Sequence, residues 1–188
     1  MFSRDAGALP PSVTAAARPA PAFRDVYAEH LRFVWRVVRR LGVPASDAED
    51  VCQEVFVVVH RKLAEFAHRS TVRTWLYGIA YRCASEYRRR AHVRRELPTE
   101  QPDAGAVEPA QLETIDRHRA RELLDDILSE LDHDKRAVFV FYEIEHVDMA
   151  DIAEILDCPV QTAYSRLHAA RRHVQAAARR LRAKESNR

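Results

Sequence analysis

The sequence predicts an all-α protein built as two small helical domains joined by a flexible linker. Three observations carry that reading. Apolar residues recur three or four apart through both halves of the chain, and no alternating strand pattern persists. Only four glycines occur in 188 residues, too few for a fold of tight hairpins or a phosphate-cradling loop. Of nine prolines, four lie before residue 22 and three between Pro98 and Pro109, marking a tail and a linker.

Residues 1–22, rich in Ala and Pro and without apolar periodicity, read as a disordered tail. Helical patterning begins at Phe23, with Val26, Leu31, Val34, Trp35, Val38 and Leu41 on one stripe. Gly42 then acts as a stop, and Pro44 prevents continuation. Ser46 is expected to cap a second helix, with Glu49 in the capping-box position and Asp47 and Asp50 at the positive end of its dipole. The apolar face there is Ala48, Val51, Cys52, Val55, Val59 and Leu63. The valine-rich run 55–59 is β-prone, but its capped, charged surroundings favour helix. A third helix is expected from about Thr71 to Arg95, with Leu76, Ile79, Ala80, Cys83 and Ala84 facing the core.

Residues 23–95 thus form the first domain and residues 96–112, with three prolines and Gly105, the linker. The second domain, 113–182, holds four helical patterns before a short tail at 183–188. The first, about 113–130, buries Ile115, Leu123, Leu124, Ile127 and Leu128; the second, about 133–143, buries Ala137, Val138, Val140 and Phe141. Asp148 is placed to cap the third, whose inner residues are Ile152, Ala153, Ile155 and Leu156. After the Asp157-Cys158-Pro159 break, the fourth runs from Val160 past Arg180.

The net charge is only +2, but it is unevenly spread. Residues 69–95 hold eight arginines against the single acid Glu86, and residues 166–188 hold eight basic residues against Glu185. Between them, residues 143–157 hold six acids and no Lys or Arg. The basic blocks suit a polyanion, and the acidic blocks suit a basic protein partner. Cys52, Cys83 and Cys158 are odd in number and widely spaced, against a disulfide framework and for a reducing cytoplasm, where they are expected as buried structural residues. No signal-peptide pattern or membrane-length apolar run is found, so a soluble, cytoplasmic protein is expected.

The last two helices have helix-turn-helix spacing. Ile152, Ala153 and Leu156 face inward on one, Val160, Ala163 and Leu167 on the next, with about four residues between. The outer face is Gln161, Ser165, His168 and Arg172, with Tyr164 and Arg171 beside it, groups that read base edges or grip phosphates. A helical hairpin with a solvated face has the same pattern, and spacing alone does not separate the two.

Arg73, Trp75, Tyr77, Tyr81, Arg82, Tyr87, Arg88, Arg89 and Arg90 interleave rings with guanidinium groups. Single-stranded nucleic acid is held in this way, each stacked base contributing about 1–3 kcal/mol. A core tryptophan beneath a solvated arginine face is the bland alternative. On the second helix Asp47, Asp50 and Glu54 share a face with Gln53, suited either to an arginine-rich partner or to water. The nine histidines are dispersed, and neither H-E-x-x-H, a Walker loop, G-x-S-x-G nor a dinucleotide fingerprint occurs. No catalytic residue, metal, cofactor or small-molecule substrate is therefore expected, and the protein does not read as an enzyme.

The order of these motifs resembles that of the extracytoplasmic-function RNA polymerase sigma factors. Asp47-Ala48-Glu49-Asp50-Val51-Cys52-Gln53-Glu54-Val55-Phe56 is similar to their polymerase-binding helix. Trp75-Leu76-Tyr77-Gly78-Ile79-Ala80 and the arginines after it resemble their promoter-melting segment. Asp151-Ile152-Ala153-Glu154-Ile155-Leu156, followed by Thr162, Ser165-Arg166-Leu167 and Arg171, resembles their promoter-reading helix-turn-helix. The similarity spans about residues 23–182, with 23–95 as region 2 and 113–182 as region 4.

That resemblance implies a subunit that binds core RNA polymerase and directs promoter recognition and opening. Asp47, Asp50, Gln53, Glu54 and Phe56 would dock on the clamp helices of the largest subunit, and region 4 near the flap. Arg73, Trp75, Tyr77, Tyr81, Arg82, Arg88 and Arg89 would capture the −10 element. Gln161, Thr162, Tyr164, Ser165, Arg166, His168, Arg171 and Arg172 would contact the −35 element. The linker would thread through the polymerase, and an anti-sigma protein is the expected regulator. The chain departs from the family where Asn and Asp are common, at Arg82 and Glu86, which are spaced to pair with each other. It also carries Gln161 in place of a usual Gly, and Tyr164 and Ala169 in place of basic residues. A stand-alone regulator and a non-melting adaptor with the same fold remain as competing readings.

Overall fold

The computed structural model describes residues 21–96 and 123–186, all of whose regular structure is helical. The expected tail through residue 20, nearly all of the linker and the stretch containing Ile115 lie outside these residues.

Helix α1 spans Phe23–Arg40 and ends in a Schellman motif. The Gly42 amide donates to the Arg39 carbonyl at 3.0 Å and the Val43 amide to the Val38 carbonyl at 3.3 Å. Gly42 sits at φ +99°, the left-handed geometry that glycine alone adopts freely. Helix α2 spans Ala45–Lys62 and starts after Pro44, two residues earlier than a Ser46 cap would place it. Ser46 is not its cap: its hydroxyl lies inside the helix and donates to Asp47 Oδ1. Pro44 fixes the entry geometry by its own ring, which leaves nothing for Ser46 to cap. The valine run stays helical throughout.

A 3₁₀ turn, Leu63–Glu65, leads to the loop before α3, Val72–Glu96. Thr71 caps α3, its Oγ1 accepting from the Thr74 amide at 3.0 Å. Val34, Val37, Val38, Val51, Val55, Val59, Leu76, Ile79 and Ala84 fill the three-helix core, while Cys83 is only partly buried at its edge.

Helix α4 is described over 123–129. Asp132 then caps α5, His133–Phe139, accepting from the Lys135 amide at 2.9 Å. The single helix expected over 133–143 is interrupted: after Phe139 the chain widens into a π turn, Val140–Ile144. Helix α6 covers Met149–Ile155 and ends in a second Schellman motif, with Asp157 in the left-handed position at φ +48°. The last helix, α7, runs Val160–Ser186. Ile152, Ala153, Leu156, Ala163 and Leu167 are buried, as the motif requires. Val160 is not; it is 45% exposed, at the first position of α7.

The two domains pack against each other along α3. The rings of Tyr77 and Phe141 meet at 5.0 Å, and one continuous core runs through both. Arg136 of α5, 5% exposed, donates through Nε to the Arg40 carbonyl at 2.5 Å, placing a cation on the negative end of α1. Burial pulls its pKa down to about 10.

Candidate nucleic-acid interface

Helix α3 divides its seven singled-out residues between two faces. Arg73, Tyr77, Tyr81 and Arg88 follow a row with spacings of four and seven, and the first three make polar contacts with the second domain. Tyr77 donates to Glu145 at 2.8 Å, Arg73 pairs with the same carboxylate at 3.0 Å, and Arg40 of α1 joins them. The Glu145 side chain is 5% exposed, so all three donors meet a charge held away from water. Tyr81 donates to Asp134 at 2.8 Å, and its ring stacks on His133 at 4.9 Å. Burial, then the neighbouring carboxylate, pushes both phenols well above the usual tyrosine range, so they stay neutral donors.

A neighbouring, solvent-facing side carries Arg82 and Arg89, both exposed. Arg82 and Glu86 do not pair. Glu86 instead holds Arg89 in a two-pronged contact at 2.7 and 3.0 Å, the i,i+3 alternative on the same surface. Trp75 is half-buried, with its ring 5.1 Å from Phe66, which in turn meets His68 at 4.7 Å. His68 sits at φ +54° in the loop that precedes α3, a geometry uncommon for histidine. These rings form an aromatic ledge at the start of α3 in which Phe66 is buried, Trp75 half-buried and His68 exposed. Sequence spacing marked only Trp75, since nothing local distinguishes Phe66 or His68 from loop residues.

On α7, Gln161, Tyr164, Ser165, His168, Arg171 and Arg172 are exposed, above a buried row of Ala163, Leu167 and Ala170. Thr162 and Arg166 are partly buried. The Ser165 hydroxyl donates back to the Gln161 carbonyl at 3.0 Å. Arg171 pairs with Glu143 and lies over the Tyr142 ring, and Arg166 pairs with Asp134 at 2.6 Å. Asp134 therefore holds one singled-out side chain from each domain, Tyr81 and Arg166. His168 and Arg172, by contrast, project from the open side of α7.

The acidic face of α2 is also split. Asp50 and Gln53 are exposed, whereas Glu54 meets Arg90 at 2.8 Å and Asp47 accepts from the Tyr87 hydroxyl at 2.6 Å. Phe56 lies in the core, 3% exposed beneath the Tyr27 ring. The sequence did not mark Tyr27 and Val57, which are large, apolar and exposed beside this face. The three cysteines are free, and burial raises the Cys52 and Cys83 thiols to about 12 and about 11, which disfavours thiolate chemistry. Among the described residues no cluster of three metal-ligating side chains occurs, and no helix is long and apolar enough to cross a membrane.

A helix-turn-helix beside an aromatic–arginine helix is the arrangement, and the comparisons agree with it. The Sigma-70 region 2 family matches residues 26–94, and the Sigma-70, region 4 family matches residues 121–174. The ECF RNA polymerase sigma-E factor of Haemophilus influenzae is 32% identical over 143 residues, 71% of this chain and 75% of that protein. The chain belongs to the extracytoplasmic-function RNA polymerase sigma factors. The sigma-E factor of Escherichia coli K12 is 30% identical over 142 residues, 69% of this sigma factor and 72% of its own length.

Two solved structures share the fold. The sigma factor RpoE in complex with the anti-sigma factor NepR from Bartonella quintana aligns with a TM-score of 0.68 at 22% identity, covering 84% of this chain and 96% of that one. CnrH in complex with the cytosolic domain of CnrY aligns with a TM-score of 0.58 at 26% identity, covering 82% and 85%. As a sigma factor the protein is a non-catalytic subunit that directs transcription initiation by RNA polymerase. That family membership removes the stand-alone regulator and the adaptor as first readings.

Proposed function

We propose that this sigma factor docks on core polymerase through α2, holds the −10 element with α3 and reads the −35 element with α7. The observation that carries the proposal is the exposed row on α7 from Gln161 through Tyr164, Ser165 and His168 to Arg172. It combines an amide and hydroxyls for base edges with a guanidinium for phosphate, on the second helix of a helix-turn-helix. The −10 side is supported by Arg82 and Arg89 on the open face of α3 and by the Trp75–Phe66–His68 ledge at its start. Arg73, Tyr77, Tyr81 and Arg88 join this set once the second domain is off that face.

For docking, Asp50 and Gln53 supply exposed polar groups, with Glu54 beside them and Val57 and Tyr27 as apolar neighbours. Asp47 and Phe56 support that face from behind rather than meeting a partner, because one is tied to Tyr87 and the other is buried. The partner surface is the clamp helices of the largest subunit, with the flap serving region 4. Replacing Asp50 and Glu54 by Lys tests this directly. The exposed Glu54–Arg90 pair is worth about 1 kcal/mol or less, so the double variant folds. It is expected to lose core polymerase in a pull-down, and unchanged retention refutes the assigned face.

The protein works in the cytoplasm on this reading, where polymerase and promoter are. The similar structures RpoE–NepR and CnrH–CnrY are complexes of a sigma factor with another protein, NepR being titled an anti-sigma factor. A comparable protein regulator is proposed for this chain.

A further inference from the structure

We infer that the C-terminal half of α7 is a second, sequence-independent DNA contact, in which Arg179 and Arg182 grip phosphates outside the base pairs read by its first turns. The inference rests on the assignment of α7 as the −35 helix.

The second helix of a helix-turn-helix reads base edges with residues near its N-terminus. Helix α7 runs much further, through 27 residues from Val160 to Ser186. At 1.5 Å per residue its length is about 40 Å, more than three times the ~12 Å width of a major groove. Gln161 and His168 are about 10 Å apart along the axis, whereas Arg182 lies about 30 Å beyond Gln161. A helix lying in the groove stays straight while the groove winds away. The far half of α7 therefore passes over the backbone strand that borders the groove.

The exposed row that runs from Gln161 to Arg172 continues in the same steps of three and four, through Gln175 and Arg179 to Arg182. Such a row drifts by only about 20° per heptad, so it stays on one side of the helix. Its chemistry changes along the way. Amide, hydroxyl and imidazole groups occupy the first two turns, and guanidinium groups dominate from Arg172 onward. Ala176 and Ala183, each four residues on from an arginine of the row, are exposed and short, which leaves room for a close backbone.

Charge points to the same partner. No acid occurs between Asp157 and Glu185. Arg179 donates to the Gln175 carbonyl at 3.3 Å, and neither it nor Arg182 forms an ion pair among the described residues. Arg180 differs, because it pairs with Glu130 at 3.1 Å beside His173 at 2.9 Å, on another side of the helix. Ala177, 3% exposed, and Val174 pack against the second domain beneath the row. The helix end is thus seated, and its arginine face is fixed relative to the reading face. An acidic protein would also match the charge, but continuity with the base-reading row favours DNA.

The test uses holoenzyme carrying Arg179→Gln, Arg182→Gln or both, with promoter binding measured by filter binding across a salt series. Two lost phosphate contacts lower the slope of log affinity against log salt by about 1.8. The advantage of the parent over the double variant should therefore shrink by about tenfold between about 50 and about 200 mM salt. Two Arg→Lys replacements are expected to keep the parent slope, because an ammonium also neutralises a phosphate. Arg180→Gln removes the same charge from another side of the helix and should leave the slope unchanged. Ethylation interference should map the phosphates that matter to the parent, but not to the double variant, outside the base pairs of the −35 element. A double variant with the parent slope overturns the inference, as does an equal loss of slope in Arg180→Gln. Parent binding that is indifferent to replacement of the −35 sequence overturns instead the underlying reading of α7, whatever the slopes.

Discussion

Two glycines in this chain predict opposite outcomes for the same substitution. At Gly42 a Cβ would stand 2.9 Å from Arg136 Nη1, on a backbone at φ +99°. Gly42→Ala is expected to cost about 1–2 kcal/mol, the penalty of a left-handed L-residue, before any displacement of Arg136. At Gly78, inside α3, the nearest atoms to an added Cβ are Arg82 Nη2 at 3.5 Å and Ile155 Cγ1 at 3.8 Å, ordinary contact distances. Gly78→Ala is expected to stabilise by about 0.5–1 kcal/mol. Urea denaturation of both variants checks the pair, and equal shifts in one direction would contradict it. His133 makes a third prediction at this scale. Burial first, and then Arg88, lower its pKa from 6.5 to about 4, against the opposing pull of Asp134 and Asp132 and with Arg136 also nearby. The folded form therefore keeps the ring neutral while the unfolded chain takes up a proton. Stability should fall as pH drops from about 6.5 towards about 4 and be indifferent to His133 above that window. His133→Phe should flatten that part of a stability-against-pH profile. An unchanged slope would show that other groups govern it.

At the scale of elements, α5 and α7 carry separable expectations. Asp132→Ala removes the side-chain cap of α5 and should cost about 1 kcal/mol in urea denaturation. On α7, Arg172→Ala should weaken holoenzyme binding to all promoters alike and lower the salt slope by about 1, the signature of one lost phosphate contact. Gln161→Ala should leave the slope unchanged and alter which −35 sequences bind, as expected of a base-edge contact. Filter binding across a salt series distinguishes the two, and matching slopes for both variants would contradict the assignment. The elements themselves were largely legible, because helix existence follows from a 3.6-residue apolar period that Val34–Val38–Leu41 and Leu76–Ile79–Ala80 state openly. Ends were less so. Ser46 has cap chemistry but lies one residue inside a start fixed by Pro44, whereas Thr71 caps with a hydroxyl in a less conspicuous setting. The π turn at Val140–Ile144 leaves no mark in apolar period, since Val140 and Phe141 are buried in either geometry.

For the whole molecule, the sequence conveyed two domains and their chemistry but not how they meet. Residue types identified the aromatic–arginine helix, yet periodicity cannot show that Arg73, Tyr77 and Tyr81 make polar contacts with the second domain while Arg82 and Arg89 stay exposed. The acidic stretch from Glu143 announced a basic partner, and only the fold shows Arg40, Arg73 and Arg171 in that place. The site is therefore distributed. On the proposed function the α2 face, the exposed side of α3 and the outer row of α7 would act on different partners, and the proposal is that they act jointly. Run-off transcription with purified core RNA polymerase and a library of promoter fragments tests that joint action most directly. Discrete transcripts that appear only when this sigma factor is added are the predicted result. Polymerase that initiates identically with and without it, on every fragment, would contradict the account.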